Sequence, residues 1–450
     1  MTERNAGARP PGPRGLRLAE RAARAEPAPL TGAVGGATPI PWASAEGVRV
    51  VDPDGEEYVD LTGGFGAAAV GHRNPRVVAA VEEAAETLLH GLGDAAPHPG
   101  RVELAEALGD SVPIDGPART FFAASGAEAV DIALKTVQLA TGRTGVLAFR
   151  GGYHGTGLGA LRATGRPAFR APFEAALADA TLRVPYAHCF RCPYRLSHPE
   201  CGLACLDAAM AEADAWNGDP DRPRLGCVVV EPVLGREGIV VPPAGWLEAL
   251  GAEARARDLV VVADEILTGG GRTGRIWASG PLVPDLVAVG KGITGGLPIA
   301  AVVGRRSLVS AWELPGEARH TTTFLAHPLA VAGTLAALEE IERRDLPARA
   351  RAIGERIGSG LAAVAADHPA VGDVRGVGAM WGIELVGDEG IAPDPDAAGR
   401  LSAGLARRGY LALAGGRRGN VLSLTPPLVI GEEEIDGAVA AVGEALAGIG

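Results

Sequence analysis

This sequence has almost no lysine. Of its 42 basic residues only Lys135 and Lys291 are lysines, and the rest are arginines. Arginine written nearly everywhere points to a bias toward GC-rich codons, so a retained lysine calls for a chemical reason. A lysine amine can have its pKa lowered into the nucleophilic range, and a guanidinium cannot. Aromatics are scarce as well, at 4%. Positive charge is outnumbered: the net charge is −12 and the pI about 5.3. A chain this acidic is a poor match for a phosphate backbone, which argues against nucleic acid as a partner. No apolar run reaches the length of a membrane span. The start, MTERNAGARPPGPRGLRLAERAARAEPAP, has no hydrophobic segment like that of a secretory signal. It reads as a Pro/Arg/Ala arm, flexible or draped over a neighbour, and the expected location is cytoplasmic.

What is present is a large apolar content, 47% of 450 residues. That is enough for two or three domains. From about residue 45, short apolar runs alternate with amphipathic helical stretches. The runs are TGVLAF (144–149), GCVVVEPV (226–233), LVVVADEI (259–266), PDLVAVGKG (284–292) and PIAAVVG (298–304). They are continuous, as parallel strands covered on both faces require. The rhythm predicts a doubly wound α/β domain. After about 330 the texture is helical. AMWGIELVG (379–387) and NVLSLTPPLVI (420–430) then predict a smaller α+β C-terminal domain. No internal repeat is visible.

Ligands collect at the carboxyl ends of parallel strands. Three of the runs end in ionisable groups: Glu231, Asp264 with Glu265, and Lys291. Any one alone reads as a solvated strand end. Together, with lysine so rare, they read as a constellation. A lysine forms a Schiff base with an aldehyde. A carboxylate facing it holds a pyridinium nitrogen protonated, which is the protein's share of pyridoxal phosphate chemistry. FFAASGAEAVDIALK (121–135) offers a phosphate cup. Ser125 to Glu128 spell a capping box before a helix, whose first free N–H groups attract anions. By itself that segment is equally an ordinary helix cap.

SGAEAVDIALK, GGYHG (151–155), VVVEPV (228–233), VVADEILTGGGRTG (261–274), VGKGITGGLP (289–298), TTTF (321–324) and LTPPLVIGEEEID (424–436) stand in the order and spacing of class III aminotransferases. From about 45 to 447 the chain resembles these fold type I pyridoxal phosphate enzymes, the group with 4-aminobutyrate, ornithine and diamine aminotransferases. The resemblance implies a large domain with a mostly parallel sheet sandwiched by helices. The expected divisions are an arm over 1–44, a segment over 45–75 packed with the small domain, a cofactor-binding domain over 76–330, and a small domain over 331–450. It implies a catalytic pair, Lys291 as Schiff-base and proton-shuttling lysine and Asp264 as partner of the pyridine nitrogen. Ser125, Gly126 and Ala127 match the phosphate cup, and Tyr153 the residue stacked on the ring. His154 beside it is structural or catalytic. Glu231 matches the glutamate lining the substrate side. Thr323 matches the threonine that reaches the phosphate from the other subunit, so a homodimer with shared sites is implied. Arg272 and Lys135 match positions read as structural. The implied reaction moves an amino group from a primary amine or amino acid, ω-type, to a keto acid or aldehyde. Some class III members racemise amino acids or eliminate, which is the alternative.

Several positions depart from the family's commoner pattern. Ala124 replaces an asparagine and Leu267 a glutamine. Many members have EP-x-x-GEGG, whose second glutamate pairs with a C-terminal arginine as a gate for the substrate carboxylate. Here Arg236 stands at that glutamate and Ser423 at that arginine. Arg236 then becomes a candidate to bind a carboxylate directly, with Arg417 and Arg418 upstream of the last strand.

Four of the five cysteines, Cys189, Cys192, Cys201 and Cys205, fall within HCFRCPYRLSHPECGLAC (188–205). The spacing suits a tetrahedral zinc site, with His188 and His198 as substitute ligands. Disulfides or free thiols are the other readings, and disulfides are disfavoured in a cytosolic enzyme. No metal ligand is assigned. Cys227, inside an apolar run, reads as a small buried residue.

Overall fold

The computed structural model describes residues 10–27, 39–177, 179–387 and 391–449. Residues 1–9 and 28–38 of the expected arm lie outside the described residues. The stretch between them holds a helix, Pro13–Ala25. Its first amides would lack acceptors, as at any helix start. Asp54 accepts from Arg14 N at 2.9 Å and Gly15 N at 2.8 Å. Among the described residues no helix is long and apolar enough to cross a membrane.

Three short strands follow: β1 (Ser44–Glu46), β2 (Arg49–Val51) and β3 (Glu57–Asp60). The central sheet comprises β4 (Ala118–Ala123), β5 (Gly145–Phe149), β6 (Thr181–Val184), β7 (Leu225–Val230), β8 (Val260–Asp264), β9 (Leu286–Val289) and β10 (Ala300–Arg305). Its order is β4-β10-β9-β8-β7-β5-β6. Every residue of β5, β7, β8 and β9 is buried. Alternation along each strand explains why. Leu147, Val228, Val230, Val261 and Ala263 pack with Met210, Trp246 and Leu250. Their neighbours Val146, Ala148, Val229, Val262 and Ala288 pack with Val130, Ile132 and Ala133. Helices thus cover both faces, and continuous apolar runs follow from that. Cys227 lies in the second cluster, as its setting in the sequence predicts.

One run departs from the parallel reading. β10 pairs antiparallel with both β4 and β9. Between β9 and β10 the chain holds only a single 3₁₀ turn, Lys291–Ile293. A parallel return needs a crossover of about a dozen residues or more, usually with a helix. The short link therefore brings PIAAVVG back in the opposite direction.

The C-terminal part is α+β, as expected. Helices Pro328–Arg343 and Leu346–Ala366 lead to β11 (Val371–Val377), β12 (Met380–Leu385), β13 (Tyr410–Leu411), β14 (Leu413–Gly415) and β15 (Val421–Leu424). β11-β12-β15-β14 form an antiparallel sheet, and β13 joins β3 in parallel. Helix Glu432–Ala447 closes the chain, with Glu432, Glu433 and Glu434 in its first turn, where the helix dipole favours them.

Candidate active site

Parallel strands in register bring their carboxyl ends to one edge. β8 ends on Asp264, β7 leads into Glu231, β9 into Gly290-Lys291, and β5 into the turn carrying Tyr153 and His154. Residues far apart in sequence meet there. Asp264 is buried and accepts from His154 Nδ1–H at 2.8 Å and from Ile266 N at 3.1 Å. Burial opposes charge on His154. The hydrogen bond and charge of Asp264, with the charge of Glu231 beyond, outweigh it, so the histidine pKa is raised. The His154 backbone is tied down too, its N–H donating to Thr164 Oγ1 at 3.0 Å.

Glu231 accepts from Tyr153 N at 2.8 Å and from Gly235 N at 3.1 Å. Burial, then the nearby Asp264, raises its pKa to about 7 against the opposing pull of His154 and those amides. Lys291 opens the 3₁₀ turn at φ +41°, a left-handed conformation costly for a residue with a side chain. Burial pushes its ammonium below the ordinary lysine range. Arg236 and Arg272 act in the same direction, and Asp264 and Glu231 oppose it. Among the described residues its Nζ has no hydrogen-bond or ion-pair partner.

The Ser-x-x-Glu cap forms at a helix start. Ser125 caps the helix Gly126–Thr141, its Oγ accepting from Glu128 N at 3.2 Å. Glu128 reaches back to Ala124 N at 2.7 Å, one residue before the cap. Among the described residues, the amides of Ser125, Gly126 and Ala127 have no acceptor. Two close approaches fix this turn. A Cβ on Gly155 would come within 2.5 Å of Ala127 Cβ, and Gly155 has φ +118°. Ile266 lies between the cup and the lysine. Its side chain would meet a Cβ on Gly126 or on Gly290 at 3.1 Å.

Arg236 stands with its guanidinium 4.5 Å from the Tyr153 ring centroid and 5.3 Å from that of Phe169. No ion pair of Arg236 is found among the described residues, so its N–H donors are uncommitted. The neighbouring Glu237 pairs with Arg417 at 2.7 Å. Ser423 sits within β15, and Leu267 fills space against Gly66 and Gly235. Arg272 is fully buried and donates to the carbonyls of Thr425, Pro426 and Gly66. Lys135 pairs with Asp131 at 2.6 Å on the helix after the cup.

One predicted residue does not join this group. Thr323 is exposed, in the loop before helix Pro328–Arg343. Other contributors escaped the sequence reading. Phe169 and Glu237 carry no motif of their own, and the contacts of Ile266 and Arg417 with the site come only from folding.

The residues 32–446 match the family model for class-III aminotransferases. A diaminobutyrate–2-oxoglutarate aminotransferase of Rhizobium meliloti is 36% identical over 431 residues, covering 91% of this chain and 88% of the relative. A 4-aminobutyrate aminotransferase of Mycobacterium bovis is 36% identical over 432 residues, covering 94% and 93%. Among solved structures, an amine transaminase from an uncultivated Pseudomonas species, in its PLP-bound form, superposes with a TM-score of 0.85. It is 28% identical and covers 94% of this chain and 98% of its own. Matched along nearly its whole length, this chain belongs to the class-III aminotransferase family, enzymes that transfer amino groups with pyridoxal phosphate.

Proposed function

We propose that this aminotransferase takes an ω-amine or similar primary amine as donor and a small 2-oxo acid as acceptor, with Arg236 reading the carboxylate. The observation that carries this is the unpaired Arg236 guanidinium over Tyr153. A half-buried cation without a carboxylate partner is best satisfied by one that arrives with the substrate.

The residues suit the cofactor. Ser125, Gly126 and Ala127 would hold its phosphate on free amides at a positive helix end. Tyr153 would stack on the ring, and Asp264, held by His154, would face the ring nitrogen. Bound pyridoxal phosphate supplies an aldehyde and a ring that draws electrons from the amine-bearing carbon. Lys291 Nζ, its pKa lowered by burial, would be the group placed to take and return a proton there. Glu231 lines the substrate side, and its raised pKa lets it carry a proton near neutrality.

The test is a panel of donors and acceptors with and without carboxylates. Losing a charge-assisted hydrogen bond costs about 1.5–3 kcal/mol, or roughly 10- to 150-fold. Arg236→Ala should raise KM for 2-oxo acids by that factor, and by ten times less for carboxylate-free amines. An equal change for both classes would remove Arg236 from carboxylate recognition.

We infer a homodimer in which Thr323 serves the partner's site. Supporting this, Thr323 is exposed, and beside it Phe324 is 60% exposed, with Leu89 and Leu92 at 64% and 69%. Co-expressed Thr323→Ala and Lys291→Ala chains, each inactive or weak alone, should form one competent site per heterodimer. Absence of recovery would mean each chain completes its own site.

A further inference from the structure

Between β6 and the helix Ala204–Gly218 the chain runs from 185 to 203 without a helix or strand. Loops of this length without internal structure are uncommon in compact domains and are usually functional or disordered. This one straps the C-terminal sheet. Arg191 forms an ion pair with Glu384 and donates to Ile391 O at 3.0 Å. A Cβ on Gly372 would meet the Phe190 ring at 3.0 Å, so that ring is packed against β11.

The loop has almost no core of its own. What converges inside it is sulfur. Cys189, Cys192, Cys201 and Cys205 line one small cavity of about 20 Å³, together with His188 and His198. That volume admits one atom-sized guest. Local backbone bonds gather the sulfurs in two pairs. Cys192 N donates to Cys189 O at 3.3 Å, closing the C-x-x-C turn. Ala204 N donates to Cys201 O at 3.0 Å, turning the chain so that Cys205 enters the first turn of the helix. None of the cysteines is in a disulfide.

We propose that this loop binds one zinc ion through Cys189, Cys192, Cys201 and Cys205, as a structural clamp that holds the Phe190–Arg191 strap against the C-terminal sheet. Two C-x₂₋₄-C pairs around one small cavity are the donor set of a structural tetrahedral site. Four thiols so placed repel one another as thiolates, and a divalent cation at their centre removes that repulsion. Zinc would draw the sulfurs to about 2.3 Å from the metal. They stand wider than that now. Among the described residues, the one set of three candidate ligand atoms within 4.8 Å of one another is His188, Asp373 and Glu384. That set is an ion-pair node and a poor metal site, because Arg375 occupies Asp373 and Glu384 and Arg191 also occupies Glu384.

The test is metal content and thiol reactivity of the full-length, cofactor-loaded protein. The expected result is about one zinc per chain, falling at least tenfold in Cys192→Ser and in Cys201→Ser. Four thiols should react with a thiol reagent only after a strong chelator is added, with pyridoxal phosphate retained. Cobalt in place of zinc should give a near-ultraviolet sulfur-to-cobalt band that both variants lose. If those variants do not fold, the metal content and cobalt spectrum of the unaltered protein decide alone. Metal-free protein with the four thiols freely reactive would overturn the proposal. So would two disulfides found by mass spectrometry, or zinc kept in both cysteine variants but lost in Glu384→Gln.

Discussion

Lys291→Ala is expected to lower turnover by on the order of 10⁴-fold or more, the upper range for a single proton-transfer group, because it also removes the amine that attaches to the cofactor. The visible absorbance of bound pyridoxal phosphate should shift or vanish in the same variant. The structure says why this residue is hard to replace. Burial depresses its ammonium, while Asp264 and Glu231 keep the amine among carboxylates. Lys291→Arg separates charge from nucleophilicity. It restores a cation at the position and should be as inactive as the alanine variant, since a guanidinium does not attack an aldehyde. Alanine keeps a Cβ at φ +41°, so backbone strain is unchanged, and circular dichroism should show an intact fold. An unaltered cofactor spectrum with turnover near that of the unaltered enzyme would overturn the assignment of Lys291.

Asp264→Asn is expected to reduce kcat by about 10²- to 10⁴-fold while the cofactor stays bound. An amide is nearly the same shape but does not hold a ring nitrogen in its protonated state. The variant also takes the charge out of the 2.8 Å ion-paired hydrogen bond to His154. That has a consequence independent of catalysis. Because His154 has a raised pKa in the folded chain, the pair stabilises the fold in full below the histidine's ordinary value of about 6.5. The contribution is lost as the pH rises through the raised folded value. In Asp264→Asn the melting temperature should fall most at acidic pH, and its decline from mildly acidic to alkaline pH should flatten. A variant with near-native kcat would mean that another group protonates the ring. Unchanged pH dependence of melting would mean that His154 is not charged through Asp264.

Much of this was readable in the amino acids. Asp264 and Lys291 fell at the ends of apolar runs, and the Ser-x-x-Glu box marked the capped start of the helix Gly126–Thr141. Each is a local signal, set by a strand period or a helix cap. The direction of β10 was less legible, because a continuous apolar run reports burial on two faces and says nothing of strand sense. The shortness of the link after Lys291 decided it.

The sequence alone determined the chemistry available: one lysine at a strand end, a carboxylate at another, a capped helix start and the family these belong to. The family resemblance also put Arg236 and Ser423 where the usual gate residues are expected. Only the tertiary structure decided what the exchanges produced. It set Arg236 over Tyr153 and Phe169, paired Glu237 with Arg417 across 180 positions of sequence, and filled the Leu267 site with apolar contact. Such contacts depend on distance in space and on which side chains reach across the gap between the central sheet and the C-terminal strands. No period or cap along the chain encodes that distance.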